Sequence, residues 1–85
     1  MKTLAKALID AAAFFELSGD DAVNPDDAVK ALESISHTLH AASSEEIAAL
    51  REVLRKKVEE ERAGLGRADL LKFYEHFLES FGVAE

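Results

Sequence analysis

The sequence contains no cysteine, which excludes a disulfide framework, a thiolate metal site, a cysteine nucleophile and a thiol redox switch. It also has no apolar run that approaches the roughly 18 to 20 residues needed to cross a bilayer. Lys6 and Asp10 interrupt the apolar stretch near the start, which is unlike the core of a signal peptide. We therefore expect mature structure from the first residues, no membrane span and a cytoplasmic location.

Basic residues are scarce: the chain has 10 Lys and Arg but 17 Asp and Glu, which gives a formal net charge of -7. Such a chain would repel a nucleic-acid backbone, so nucleic-acid binding is disfavoured. The 48% of apolar and 32% of charged residues are typical of a globular protein. With 85 residues, the chain is predicted to form a single helical domain over residues 1–85.

Glycine and proline are few, four and one respectively, and they separate segments of helical periodicity. The first predicted helix runs from about Thr3, its N-cap, to Leu17, and Gly19 is expected to end it in the left-handed conformation. Short connections make sequential helices antiparallel. The predicted fold is therefore all-α, a four-helix up-down bundle or a closely related irregular helical bundle.

Capping residues mark the next two helix starts. Asn24 followed by Pro25 predicts the start of the second helix. Ser43 with Glu46 forms a capping box that predicts the start of the third. The predicted helix ends are Ala41, Gly64 and Gly82, in chain order.

The first helix has two apolar faces. The face expected to form the core consists of Leu4, Leu8, Ala11, Ala12 and Phe15. A second ridge lies on the other side and is expected to bind a partner: Ile9, Ala13, Leu17 and the neighbouring Phe14. Since an amphipathic helix needs only one apolar face, this ridge must be covered by the fourth helix, by a second copy of the chain or by another protein.

Acidic residues follow the ridge, with six acids and a single basic residue, Lys30, in the segment from Glu16 to Glu33. A basic protein partner would be steered to this segment. The carboxylates predicted to contact it are Asp20, Asp21, Asp26 and Asp27.

Three residues on the second helix form a possible metal-binding cluster, because Glu33, His37 and His40 lie within one arc of the helix. His76 could add a further ligand. Solvated histidines are the simpler interpretation, since this arc lies opposite the apolar stripe. No phosphate-binding loop, nucleophile elbow or His-Glu-x-x-His motif occurs, so neither enzyme activity nor a cofactor is expected.

The predicted function is a non-enzymatic protein–protein interaction module of adaptor, antitoxin or immunity type. It is expected to self-associate as a homodimer through the first helix and to offer its acidic loop to a basic protein. One alternative is a metal- or small-ligand-binding bundle that uses Glu33, His37 and His40. The other is a helical subunit that acts only within an enzyme complex.

Overall fold

In the computed structural model, which describes residues 2–83, the chain folds into four α-helices. The predicted all-α fold is confirmed over these residues. The helices are α1 (Lys2–Leu17), α2 (Pro25–Leu39), α3 (Ser44–Ala63) and α4 (Ala68–Ser80).

Local capping chemistry sets the starts of α2 and α3. Asn24 Oδ1 accepts the backbone N–H of Asp26 at 2.9 Å, and Pro25 takes the first helical position, where no N–H donor is needed. Ser43 Oγ accepts the Glu46 N–H at 3.1 Å, and Glu46 Oε1 accepts the Ser43 N–H at 2.8 Å. This backbone donor holds the pKa of Glu46 below its ordinary value. Both predicted starts are confirmed.

Two predicted details of α1 are wrong. The helix begins one residue earlier than expected, so Thr3 lies inside its first turn and does not cap it. Gly19 is not left-handed, because within residues 2–83 positive φ occurs only at Gly66 and Gly82, at 64° and 73°. The chain leaves α1 through a turn in which the Gly19 carbonyl accepts the Ala22 N–H at 3.0 Å. A hydrogen-bonded turn therefore replaces the expected glycine cap.

The helix α1 is the centre of the fold. It packs against α2, α3 and α4, whereas the backbone of α2 comes close only to that of α1 among the described helices. The helices α1, α3 and α4 thus form a group of three, and α2 lies against α1. The molecule measures 36 × 33 × 22 Å, and its shortest dimension corresponds to two layers of helices about 10 Å across. The structure is the irregular form of the predicted helical bundle.

The core contains two large side chains that are fully enclosed, Phe77 and Ile9. The Phe77 ring contacts the rings of Phe73 and Phe81 at centroid distances of 5.5 and 4.6 Å. Aromatic residues of α4 and an aliphatic residue of α1 therefore form the middle of the core. The other buried members of this cluster are Ala5, Ala12, Leu39, Leu50, Val53, Leu54 and Phe81.

Hydrogen bonds fasten the end of α2 to the end of α4. Ser36 Oγ donates to the carbonyl oxygen of Phe81 at 3.1 Å, and His40 Nε2 lies 3.1 Å from the same oxygen. Phe81 is the C-cap of α4, so both contacts satisfy a carbonyl near the helix end. Gly82 follows with a φ of 73°, and a Cβ at this position would lie 3.1 Å from His40 Nε2. The prediction that Gly82 closes the last helix is confirmed.

Ion pairs join α1 to α3. Lys57 Nζ lies 2.5 Å from Asp10 Oδ1 and 5.6 Å from the centroid of the Tyr74 ring, and the Lys57 side chain is only 12% exposed. A second pair joins Lys2 to Glu52 at 2.8 Å. Residue numbers rise together along both helices from one pair to the next. The helices α1 and α3 are therefore parallel, as an up-down order requires.

Replacing Gly82 with Ala is expected to lower the free energy of unfolding by about 1–2 kcal/mol, because a Cβ is disfavoured at positive φ and would press on the His40 ring. Urea unfolding followed by circular dichroism measures the change. The control is Gly19→Ala, because Gly19 has no positive φ and its Cβ would meet only the end of the exposed Asp21 side chain. Equal stability of the two variants would contradict the role of Gly82.

The variant Asp10→Asn is expected to lower the free energy of unfolding at neutral pH by up to about 1 kcal/mol, the range of a partly exposed ion pair. Burial of Asp10 opposes ionisation, but hydrogen bonds and charges from Lys57 and Lys6 outweigh it and hold the pKa of Asp10 below its ordinary value of 3.8. A lowered pKa stabilises the fold above the unfolded pKa, and this stabilisation is lost as pH falls through the folded pKa.

The difference between wild type and Asp10→Asn should therefore shrink as the pH falls below 3.8. Urea unfolding at neutral pH and at several acidic pH values measures it. Asp20→Asn, in the exposed loop, controls for the simple loss of one charge. A difference that stayed constant down to about pH 2 would show that the Asp10 carboxylate does not supply this stability.

Candidate interaction surface on the first helix

The inner side of α1 is formed by Ala5, Ile9 and Ala12, which are all buried. Ile9 is 0% exposed, so the expectation that it belongs to an outward, partner-binding ridge is wrong. The physical reason is the central place of α1, since three neighbouring helices pack against it. The fold itself covers Ile9, and a side chain without exposed surface makes no contact with a partner of the folded chain.

The other residues of the predicted ridge differ from Ile9. Ala13 and Leu17 are half-buried, and Leu17 lines a cleft against α4 beside Phe73. Phe14 is 54% exposed, and its ring meets the Phe15 ring edge-on at a centroid distance of 5.7 Å. Of the four ridge residues, Phe14 presents the large apolar surface to solvent.

A different apolar row covers the outward side of α1, and we call it the outer stripe. It consists of Leu4, Ala7, Ala11 and Phe14, which are all exposed. These residues are spaced by three, four and three positions, as the a and d positions of a coiled coil are, so they share one helix face. The prediction that Leu4 and Ala11 face the core is wrong, since Leu4 is 76% exposed. The surplus apolar face of the first helix therefore exists, but it shares only Phe14 with the predicted ridge and otherwise lies on another side of the helix.

An apolar groove opens beside the first half of the outer stripe, where α1 meets the end of α2 and the start of α3. Its volume is about 360 Å³. An apolar cavity of about 150 Å³ is enough to bind benzene, so the groove has room for an apolar side chain. Its polar lining groups are Thr38 and Glu46, and the Glu46 carboxylate already accepts the Ser43 N–H. The main apolar lining residues are Leu4, Ala5, Leu8, Leu39, Ala42 and Leu50.

The acidic residues predicted to contact a basic partner lie in the α1–α2 connection and the first turn of α2. All are exposed: Asp20, Asp21, Asp26 and Asp27. In the part of the chain that the structure describes, none of the ion pairs involves these four carboxylates. Because α1 ends at Leu17, the first two of them follow closely after the Phe14 end of the outer stripe.

The residues of the predicted metal cluster do not come together. His40 Nε2 lies 3.1 Å from the Phe81 carbonyl oxygen, while Glu33 and His37 are exposed on α2. His76 Nδ1 lies 3.2 Å from a carboxylate oxygen of α4. Over residues 2–83, no three His, Asp or Glu side chains are placed closely enough to hold a metal ion.

Comparison with known proteins adds no relative, since no protein-family model, no curated protein and no solved structure matches the chain. None of the four described helices combines the length and the apolar character that a membrane span requires.

Alanine substitutions on the two sides of α1 are expected to differ in their effect on the free energy of unfolding. Ile9→Ala should lower it by about 2–4 kcal/mol, because it leaves a cavity in the core. Leu4→Ala should change it by no more than about 0.5 kcal/mol, because Leu4 is 76% exposed. Urea unfolding at low protein concentration measures both. If Leu4→Ala lowered the free energy of unfolding as much as Ile9→Ala does, the Leu4 side of α1 would have to face the core.

Proposed function

We propose that this protein is a non-enzymatic protein-interaction module that binds its partner through the outer stripe and the adjoining groove. The observation that carries the proposal is the exposure of Leu4 and Phe14, to 76% and 54%, on the central helix of the fold. Together with Ala7 and Ala11 they form one continuous row. Contiguous exposed apolar surface is typical of protein–protein contact sites.

Burial of the outer stripe against a partner would add favourable free energy, because these side chains stay exposed when the single chain folds. Full burial of a Leu or Phe side chain is worth about 1.5–3 kcal/mol relative to full exposure. Leu4 and Phe14 each keep more than half of their surface exposed. The two alanines between them would allow the backbone of a partner helix to come close. A partner would therefore gain a few kcal/mol at these positions before ordering costs.

The surface on α1 is already formed before a partner arrives. Ile9 anchors the opposite side of the helix in the core, and the Asp10–Lys57 pair holds α1 against α3. Binding then requires the ordering of a few side chains and no folding of the helix. Such preorganisation reduces the entropic cost of association.

The acidic segment supports a second contact with basic groups of a partner. Exposed carboxylates follow the Phe14 end of the outer stripe, and Lys30 is the single basic residue between Glu16 and Glu33. Attraction between opposite charges raises the association rate more than the affinity. The carboxylates therefore add to the apolar contact and do not replace it.

Site-specific photo-crosslinking in the cells that make this protein tests the proposal. A photoreactive amino acid in place of Thr3, which is exposed beside Leu4, is expected to give covalent protein adducts. The matched control carries it in place of Ala48, an exposed residue of α3. Adding Ala11→Glu to the Thr3 variant should abolish the adducts, because a charge on the outer stripe would be buried without a counter-charge.

Mass spectrometry of the adducts identifies what was bound. Adducts that form at Thr3, disappear with Ala11→Glu and are absent at Ala48 support the interaction module. The proposal is overturned by the absence of adducts at Thr3, or by equal adducts at Thr3 and Ala48.

A further inference from the structure

We infer that the partner of the outer stripe is a basic amphipathic helix. Its apolar face would cover the stripe and the groove, and its lysine or arginine side chains would meet carboxylates at both ends of the stripe. The inference rests on the proposed function, since it names the partner of the same surface. Two observations carry it, the acidic character of the unpaired charges around the surface and the shape of the surface.

The helix α2 runs antiparallel to α1 and forms one wall of this surface. Leu4 of α1 and Thr38 near the end of α2 line the groove together. At the other end of the two helices, Glu16 of α1 and Val29 of α2 line a second cleft, which lies between α2 and α4. The Thr38 flank of α2 therefore faces the groove, and the Val29 flank faces α4.

An acidic side chain lies on this side of the molecule at each end of the outer stripe. At the Leu4 end, Glu46 lines the groove itself. At the Phe14 end, Asp27 precedes Thr38 by eleven positions, or about three helical turns, and so shares its flank of α2. Both carboxylates are exposed, and neither takes part in an ion pair within residues 2–83.

The nearby basic residues do not compensate these two carboxylates. Lys2 and Lys6 lie on the side of α1 toward α3, where each is paired with a carboxylate. Lys30 follows the buried Ala28 by two positions, so it lies about 160° around α2 on the solvent side. The unpaired charges beside the surface are therefore acidic, and positive charges at both ends of an apolar partner would complement them.

The same charges disfavour a second copy of the chain as the partner. Each copy carries a net charge of -7, so two copies repel each other. The carboxylates beside the stripe would also gain no opposite charge from an identical surface. A basic segment of another protein is attracted by the charge that a second copy would oppose.

The shape of the surface favours a helical partner. A segment that binds as an added strand needs a sheet edge, and residues 2–83 contain no strand. Proline-rich segments bind in grooves lined by aromatic residues, whereas leucines and alanines line most of this groove. The outer stripe has the three- and four-residue spacing of a helix-packing face, with two alanines at its centre. This geometry suits the apolar face of a second helix.

The dimensions of the surface set the length of the partner segment and the strength of binding. From Leu4 to Phe14 the outer stripe is about 15 Å long, or about three turns of a partner helix. The groove volume of about 360 Å³ exceeds the roughly 150 Å³ that accommodates benzene, so it has room for one large apolar side chain. The contact is small for a stable interface of about 800 Å² per partner, so we expect a Kd of about 10–100 μM.

Titration calorimetry of the purified full chain with three synthetic peptides of about 15 residues tests this chemistry. The first peptide has leucine at the a and d positions and lysine and alanine elsewhere. The second replaces every lysine with glutamate, and the third keeps the composition of the first but has no apolar face. Only the first is expected to bind, because it alone combines an apolar face with positive charge. Equal binding of the second or the third peptide overturns the inference.

Substitutions in the chain test whether the first peptide binds at the outer stripe. Leu4→Ala is expected to weaken its binding at least about fivefold, because Leu4 belongs to both the stripe and the groove. The matched control is Leu65→Ala, the same change at a leucine that is 89% exposed in the α3–α4 connection. Circular dichroism confirms that both variants are folded. Unchanged binding of Leu4→Ala, or an equal loss from Leu65→Ala, contradicts the inference.

A second pair of variants tests the two carboxylates. Asp27→Asn combined with Glu46→Gln should weaken binding of the first peptide at least about threefold at low salt, and less at high salt. Glutamine at residue 46 retains the capping box. Glu16→Gln combined with Glu33→Gln removes the same charge from the cleft between α2 and α4, and it should weaken binding by less than about twofold. Equal losses from the two double variants overturn the charge contact.

The photo-crosslinking experiment separates failure of this inference from failure of the proposed function. Adducts of Thr3 with a second copy of this chain, or with an acidic or non-helical segment of a protein, keep the interaction module and overturn the basic helix as its partner. Adducts combined with no binding of the lysine peptide have the same meaning. The absence of adducts at Thr3 overturns both, because the inference rests on the proposed function.

Discussion

The burial of the Ile9 side of α1 is the contact on which the rest of the structure depends. Every other described helix packs against α1, and Ile9 is one of the two large side chains that are completely enclosed. Once that side is buried and the Asp10–Lys57 pair sets α1 against α3, the rotation of α1 about its own axis is determined. The same rotation turns Leu4 and Phe14 outward, so the exposed outer stripe is a direct consequence of how the core is filled.

Much of the fold could be predicted because its signals are local. Asn24 and Pro25 start α2, and Ser43 with Glu46 starts α3, through hydrogen bonds that span two or three residues. Such contacts do not depend on how distant helices pack. The role of Gly82 at the end of α4 could be predicted for the same reason, since a residue without a Cβ adopts positive φ easily.

The side of α1 that faces the core could not be predicted in the same way. Apolar residues lie nearly all round this helix, so periodicity offered two candidate faces and the choice depended on the number of helices that pack against it. The spacing of Leu4, Ala7, Ala11 and Phe14 was visible, but it also suits a core stripe. The groove could not be predicted from the sequence for a related reason, because it is formed by parts of α1, α2 and α3 that are distant in sequence.

Because of the way α2 is attached, we expect two kinds of unfolding, local unfolding of α2 and global unfolding of the whole domain. The backbone of α2 comes close only to that of α1, and two side-chain contacts to the Phe81 carbonyl fasten its end. Its detachment would break those contacts and take Leu39 out of the core cluster, whereas α1, α3 and α4 would keep their direct contacts with one another. Local unfolding of α2 therefore costs less free energy than global unfolding, and its amide protons should exchange with solvent through this smaller opening. Each such opening would also expose the side of α1 that α2 covers. Local unfolding of α2 and exposure of apolar surface on α1 therefore occur together.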